Sequence, residues 1–360
     1  MPIYTSSETG SIPGLNALRF FGALSVVLLH VGSYGFFRDH GIALYHPLVS
    51  GKTGVILFYV ISGFLITSLA IDEIRKDGSF NFLLFLQRRC LRLFPLYYMA
   101  IASIFVLHFL GLTSVPSQAW SYAIFYAYNF VPSSGYNGLL GSFHTLATEE
   151  QFYLLYGATL GALFTTARLV AAKQFALLAM LLLLLNFAGD IGSWIETLID
   201  TYKPKRIIFN AMTPLLIGCI GALIAKSNTF NRALMAVEKN SRISQALQAY
   251  MLFASLYLFV GYAQGHKSVH LLSVAFVLLI TNLYYFRDSL LSKLLSMEPL
   301  HYLGSVSYGI YVWQAVINGT GSGSRWIDSP YLSTSLVFLA SILSFELYEK
   351  RFLRLKRYQR

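Results

Sequence analysis

The chain has 360 residues, of which 56% are hydrophobic and 12% charged, against about 25% charged in soluble domains, so a soluble core is excluded. A formal net charge of +11 would suit nucleic acid only on a solvated basic face; here the basic residues sit in short segments between apolar runs, and nucleic acid is excluded as a partner. Cys90 and Cys219 fall in or beside apolar runs, in neither paired nor metal-type spacing, which predicts no disulfide.

A helix needs about 20 apolar residues to cross a hydrocarbon layer of roughly 30 Å. On that measure the runs 14–33, 53–72, 88–110, 147–167, 174–190, 206–226, 246–263, 269–286, 300–318 and 331–350 predict ten transmembrane helices. They form one all-α, polytopic membrane domain over 1–360. The polar stretch up to Pro13 precedes the first run without a small-residue cleavage site, so the N-terminus reads as a retained anchor. The segment Trp120 to Phe130 is short, rich in Tyr and flanked by Pro116 and Pro132, which predicts a re-entrant or interfacial piece.

Lys and Arg accumulate in short cytoplasmic segments. With ten spans, nineteen basic residues share the side of the two termini, seven lie opposite, and Arg19 is inside a helix. This predicts both termini in the cytoplasm. The segment from Leu112 to His144 is then the longest external element, and its Gly, Ser, Asn and aromatic residues suit a sugar site. Internal repeats and broken helices are not visible in the sequence.

Arg19 and His30 share the first span. Eleven residues at 100° each return to within about 20° of one direction, about 16 Å further along the helix, so both can line one cavity at two depths. Placing an arginine at mid-helix costs about 2.5 to 3.5 kcal/mol, which makes the pair a functional candidate. The alternative is that Arg19 reaches the headgroups and His30 bonds a neighbouring helix.

Glu149 and Glu150 lie near the start of another span. Thr145, Glu149 and Tyr153 follow at four-residue steps and share a face. If that face meets the first span, a carboxylate can orient His30 for general base catalysis; otherwise the acids cap the helix and match its dipole. Arg88, Arg89 and Arg92 open the third span, where forked guanidiniums suit the phosphates of a nucleotide-like donor or, equally, lipid phosphates at a positive-inside anchor.

Ser62-Gly63 predicts close helix packing. His144, at the mouth of the Glu149 helix, is a candidate for contacting an acceptor hydroxyl. His266 and His270 lack a carboxylate or cysteine companion, so no metal site is predicted. Glycine-rich phosphate loops, GxSxG elbows and HExxH helices do not occur.

Taken in order, these blocks resemble the membrane-bound acyltransferase-3 family, whose members O-acylate bacterial cell-surface polysaccharides, lipopolysaccharide and Nod factors. Ile12 to His30 carries Arg19 and His30 at the family's interval, and Gly54 to Thr67 is similar to its second block. Arg88-Arg89-Cys90-Leu91-Arg92-Leu93-Phe94-Pro95, Glu149-Glu150-Gln151-Phe152-Tyr153 and Leu303 to Trp313 resemble the third, fourth and fifth. The chain departs from the pattern at Ile56, where Asp is usual, at His144-Thr145 for Trp-Ser, at Gln314 for His, and at Arg351, where Pro commonly precedes the Phe.

The resemblance implies an acyltransferase of the bacterial inner membrane, multi-pass and surrounded by membrane lipids. It implies acyl-coenzyme A, in first choice acetyl-CoA, as co-substrate, no bound cofactor, and a glycan or lipid-linked saccharide as acceptor. His30, Glu149, Glu150 and Arg19 are then the expected catalytic residues, Arg88, Arg89 and Arg92 the donor site, and Thr145, Tyr153 and His144 the residues near the acceptor. Some relatives carry a fused hydrolase-like domain, and with the chain ending at Arg360 any second transfer step is expected from a separate protein. Two other readings of the ionisable residues are a transporter or flippase pathway and a non-catalytic partner in glycan assembly.

Overall fold

The computed structural model describes residues 12–32, 51–166, 178–185, 208–238, 241–263, 268–319, 327 and 329–357, and its regular structure there is helical. Apolar runs become helices because a segment out of contact with water must satisfy its own backbone N–H and C=O groups. The first five are α1 (Leu15–Gly32), α2 (Gly51–Asp77), α3 (Phe82–Phe109), α4 (Ser117–Ile124) and α5 (Phe143–Gly161). Next come α6 (Ile208–Ala225), α7 (Asn228–Glu238), α8 (Ser241–Ala263), α9 (Val269–Tyr285) and α10 (Leu290–Leu295). The chain closes with α11 (Glu298–Ser305), α12 (Ser307–Asn318), α13 (Pro330–Ser344) and α14 (Lys350–Arg357).

Among the described residues four helices are long and apolar enough to cross a membrane: Gly51–Asp77, Phe82–Phe109, Arg242–Tyr262 and Pro330–Leu355. A fifth is counted if Met212–Ala225 and Asn228–Leu234, bent by 61° at their junction, form one span. Leu15–His30 and Val269–Tyr285 are shorter apolar helices. Of the expected span 174–190 only 178–185 is described, and it is helical; the rest lies outside the described residues, as does His266. The Trp120 segment forms α4, eight residues long, which at 1.5 Å per residue reaches only about 12 Å. Beyond α4 the chain turns at Tyr126, whose φ is 54°.

One expected span is broken, which corrects the reading of an uninterrupted helix there. In 300–318 the helix stops at Val306 and restarts at Ser307. The Ser305 hydroxyl donates to Tyr302 O at 2.6 Å and that of Ser307 to Gly304 O at 2.7 Å, the local bonding by which serine competes with the helical ladder. The span 206–226 ends at Ala225, at its expected limit, in a bend of 61°. The carbonyls it frees are taken by Tyr285 Oη, at Ala225 O, and by Arg75 Nη2, at Lys226 O, 2.6 Å away. Ser227 Oγ caps the following helix by accepting from Phe230 N at 3.1 Å.

Helix α2 stands at the centre, packed against α1, α6 and α9. Glycines bring its backbone close to its neighbours: a methyl on Gly63 would overlap the Leu215 carbonyl, and one on Gly218 the Val60 carbonyl. Ser62-Gly63 therefore serves the close approach expected of it. Gly304 does the same for α11 against Asn16 of α1.

Candidate functional site

The packing of α1, α2, α3, α5 and α12 leaves a narrow cavity whose empty space, its open mouth included, is about 700 Å³. Arg19 comes from α1, Tyr59 and Ser62 from α2, Arg89 and Arg92 from α3, Thr145, Glu149 and Tyr153 from α5, and Ser307, Tyr308 and Tyr311 from α12. The four-residue steps along α5 thus turn Thr145, Glu149 and Tyr153 to one wall, as their spacing predicts. Helix α12 is held to this wall by Tyr311 Oη, which is hydrogen-bonded to Thr145 Oγ1, and by Ser142 Oγ donating to Tyr311 O at 3.0 Å. Tyr308 Oη donates to Leu93 O at 2.9 Å, beside Pro95 inside α3.

Among the described residues, Glu149 is the one carboxylate in the cavity wall. Its Oε1 accepts hydrogen bonds from Ser62 Oγ and Tyr153 Oη. The Tyr153 ring also lies under the Arg89 guanidinium, 5.0 Å from its centroid, with Phe85 at 5.6 Å. Arg19 reaches Asn16 Oδ1 at 3.5 Å and stands in electrostatic range of Arg92, Arg89 and Glu149. Arg92 makes no hydrogen bond or ion pair with the described residues. Three guanidiniums facing one carboxylate leave a positive excess inside the bundle. A ligand that brings negative charge, or develops it, is favoured there.

A second cavity of about 1170 Å³ of empty space adjoins the first and shares Arg19, Leu65 and Arg92 with it. Its wall adds Asp72, Lys226, Tyr284, Arg287 and His301. Lys226, 1% exposed, pairs with Asp72 at 2.5 Å.

The other expected site residues diverge. His30 stands in the last turn of α1 and does not line either cavity. Glu149 is bonded to Ser62 and Tyr153 rather than to His30, so in this conformation it does not orient the imidazole. Glu150 points away from the cavity and is buried, its Oε1 without a hydrogen-bond partner among the described residues. Because α5 begins at Phe143, both acids sit in its second turn, and capping does not explain them. Arg88 lies outside both cavities, 4.0 Å from Glu73. His144 is likewise outside, its Nδ1 bonded to Gly141 O. Ile56 joins the apolar core, and Gln314 is buried, donating to Ser142 Oγ at 2.9 Å.

Several residues of the site were not singled out from the sequence. Ser62 reads in the sequence only as a packing residue, and Tyr59, Tyr308 and Tyr311 enter only within the second and fifth blocks. Glu349 ends a π turn over Phe345–Glu349, accepts from Ser344 Oγ at 3.2 Å and lies in electrostatic range of Arg92. Such π turns recur at functional sites. Lys226 and Arg287 enter the sequence reading only in the count of cytoplasmic basic residues, and Asp72 and His301 do not enter it.

Apolar helices around buried ionisable side chains define the class: an integral membrane protein with a polar chamber inside its bundle. Comparison with known sequences is more specific, because the acyltransferase-3 model, described as an acyltransferase domain, matches residues 12–347. The chain belongs to that family. It is 28% identical to YrhL of Bacillus subtilis over 94% of this chain and 54% of that protein. It is 26% identical to the peptidoglycan O-acetyltransferase OatA of Listeria monocytogenes over 94% of this chain and 55% of that protein. With the O-acetyltransferase OatA of Staphylococcus aureus the identity is 27%, over 84% of this chain and 50% of that one. The chain therefore spans about half the length of these relatives. No solved structure matches it.

Proposed function

We propose that the chain is a membrane-embedded O-acyltransferase that moves an acyl group, in first choice acetyl, from acyl-coenzyme A to a hydroxyl of a cell-surface or lipid-linked glycan. It works in a bacterial inner membrane as one domain over 1–360, with ten spans and both termini in the cytoplasm. The names of the relatives favour a peptidoglycan hydroxyl as acceptor. The observation that carries the reading is the convergence of Arg19, Arg89 and Arg92 on Glu149 in one chamber.

In the reaction the acceptor oxygen attacks the thioester carbonyl carbon, a base takes its proton, the C–S bond breaks and coenzyme A leaves. Arg92 and Arg19 steady the donor's negative charge as its arm passes them, and so set the thioester along α1 towards His30. Arg89 and Arg92 hold the donor. Glu149, fixed by Ser62 and Tyr153, keeps the guanidiniums in place; Thr145 lines the path to the acceptor. His30, about 16 Å along α1 from Arg19, accepts the hydroxyl proton or carries the acyl group on its imidazole before passing it on.

The test is acyl transfer by the full chain in proteoliposomes supplied with labelled acetyl-CoA and a glycan acceptor. His30→Ala and Glu149→Gln are expected to abolish transfer while the protein stays inserted. Full transfer in both would remove the assignment. Label recovered on His30 after acid quench selects the relay.

The helix break at Val306, inside the expected span 300–318, favours a second reading, because broken helices are common at transporter binding sites. Substrate movement across the bilayer with no dependence on coenzyme A would decide for it.

A further inference from the structure

Helix α13 does not run straight into α14. Between them lies the π turn over Phe345–Glu349, and both this turn and α14 pack against α3. Ser344 and Glu349 are five residues apart. On an α-helix that spacing leaves two side chains about 140° apart, too far round to bond, whereas the i→i+5 ladder of a π turn brings them to one side. Ser344 Oγ accordingly donates to Glu349 Oε1 at 3.2 Å, with Ser341 O as its other acceptor at 3.1 Å, and accepts from Trp313 Nε1 of α12 at 3.0 Å. Glu349 is thus tied to the helix that carries Tyr308 and Tyr311 into the chamber.

Glu349 is 7% exposed, and a carboxylate so buried is costly unless an opposite charge stands near. Among the described residues the cation in its range is Arg92 of α3, with Tyr308 of the chamber wall in range as well. Arg92 has no direct ion-pair partner among the described residues. We propose that Glu349 is the positioning residue of Arg92: aimed by the π turn and by Ser344, its carboxylate fixes the Arg92 guanidinium from outside the chamber, while Glu149 stands inside it. Glu349 does not line the chamber, so it acts through Arg92 and not on a substrate. The inference rests on the donor-holding role of Arg92 given above.

Acetyl transfer by the full chain in proteoliposomes is measured for the parent, Glu349→Gln, Arg92→Gln and the double variant. Glu349→Gln keeps the size of the side chain and an oxygen for Ser344 to bond, and removes the charge. Misplacement by about 1 Å can cost about a hundredfold in rate, so kcat should fall about 10- to 100-fold. Glu349→Asp, which keeps the charge, should retain most of the activity. In Arg92→Gln the substitution at Glu349 should cause no further loss, because residues acting through one contact are not additive. The same loss in both backgrounds means that Glu349 serves the fold alone, and overturns the proposal. Parental kcat in Glu349→Gln beside an impaired Arg92→Gln also overturns it, while the acyltransferase reading stands. Parental transfer by Arg92→Gln instead removes Arg92 from the donor site, and Glu349 then has nothing to position. If Glu349→Gln does not fold, as judged by size-exclusion profile, Ser344→Ala carries the test, since it keeps the charge and removes the donor that aims it. Its kcat should fall about tenfold, and not at all in Arg92→Gln; no fall in the parent background overturns the proposal.

Discussion

Replacing Tyr153 by phenylalanine isolates one hydroxyl at the centre of the chamber. The ring stays, so the contact with Arg89 at 5.0 Å is kept, and only the hydrogen bond to Glu149 is lost. A bond to a charged acceptor contributes about 1.5 to 3 kcal/mol, which at about 1.4 kcal/mol per factor of ten predicts a 10- to 150-fold fall in kcat/KM. Ser62→Ala removes the other donor to the same oxygen and should cost a similar factor. Because both hydroxyls hold one atom, the double variant should deviate from additivity by about 0.5 to 3 kcal/mol. Tyr153→Ala also removes the ring, adding roughly 0.5 to 2 kcal/mol for the lost cation–π contact. The assay is transfer of labelled acetyl from acetyl-CoA in proteoliposomes, with size-exclusion profiles as the folding control. Tyr153→Phe and Ser62→Ala both within twofold of the parent, beside an inactive Glu149→Gln, would refute the positioning argument.

Arg92→Gln should lower transfer by about a hundredfold or more, whereas Arg88→Gln, outside both cavities, should stay within about threefold; parallel rate measurements check this. Lys226→Met alone should destabilise the protein by about 3 to 5 kcal/mol by stranding Asp72, and Lys226→Met with Asp72→Leu should recover most of the loss, read as Tm in detergent. Gly63→Ala should cost about 1 to 3 kcal/mol because the new methyl meets the Leu215 carbonyl. By contrast, Gly261→Ala, with open space around it, should stabilise α8 by about 0.5 to 1 kcal/mol. Thermal unfolding of the two glycine variants distinguishes them.

The elements most legible in the sequence are those whose signal is local. Thr145, Glu149 and Tyr153 fall on one wall because four residues nearly complete a helical turn, and Arg19 is conspicuous because a guanidinium among apolar residues is expensive. The break at Val306 is not legible, since the Ser305 and Ser307 hydroxyls decide it within one expected span, whereas the end of the helix at Ala225 is, because the polar run Lys226-Ser227-Asn228 follows it. The Asp72–Lys226 pair joins residues 154 apart in sequence, and no periodicity reports such a meeting. Ser62 is legible only in part: serine beside glycine in an apolar run signals the close packing that Gly63 makes against α6, but not the bond of Ser62 to Glu149. The divergence of Glu149 and Glu150 follows from their adjacency, since neighbours on a helix point about 100° apart.

The most direct measurement is coenzyme A release by the purified chain in proteoliposomes, followed with and without a glycan acceptor, for the parent and for Arg92→Gln. Acceptor-dependent release by the parent, matched mole for mole by acyl ester on the glycan and lost in the variant, is the predicted result. Equal release by both proteins, or acyl ester formed without coenzyme A, would contradict a chamber in which buried guanidiniums and Glu149 carry acyl transfer.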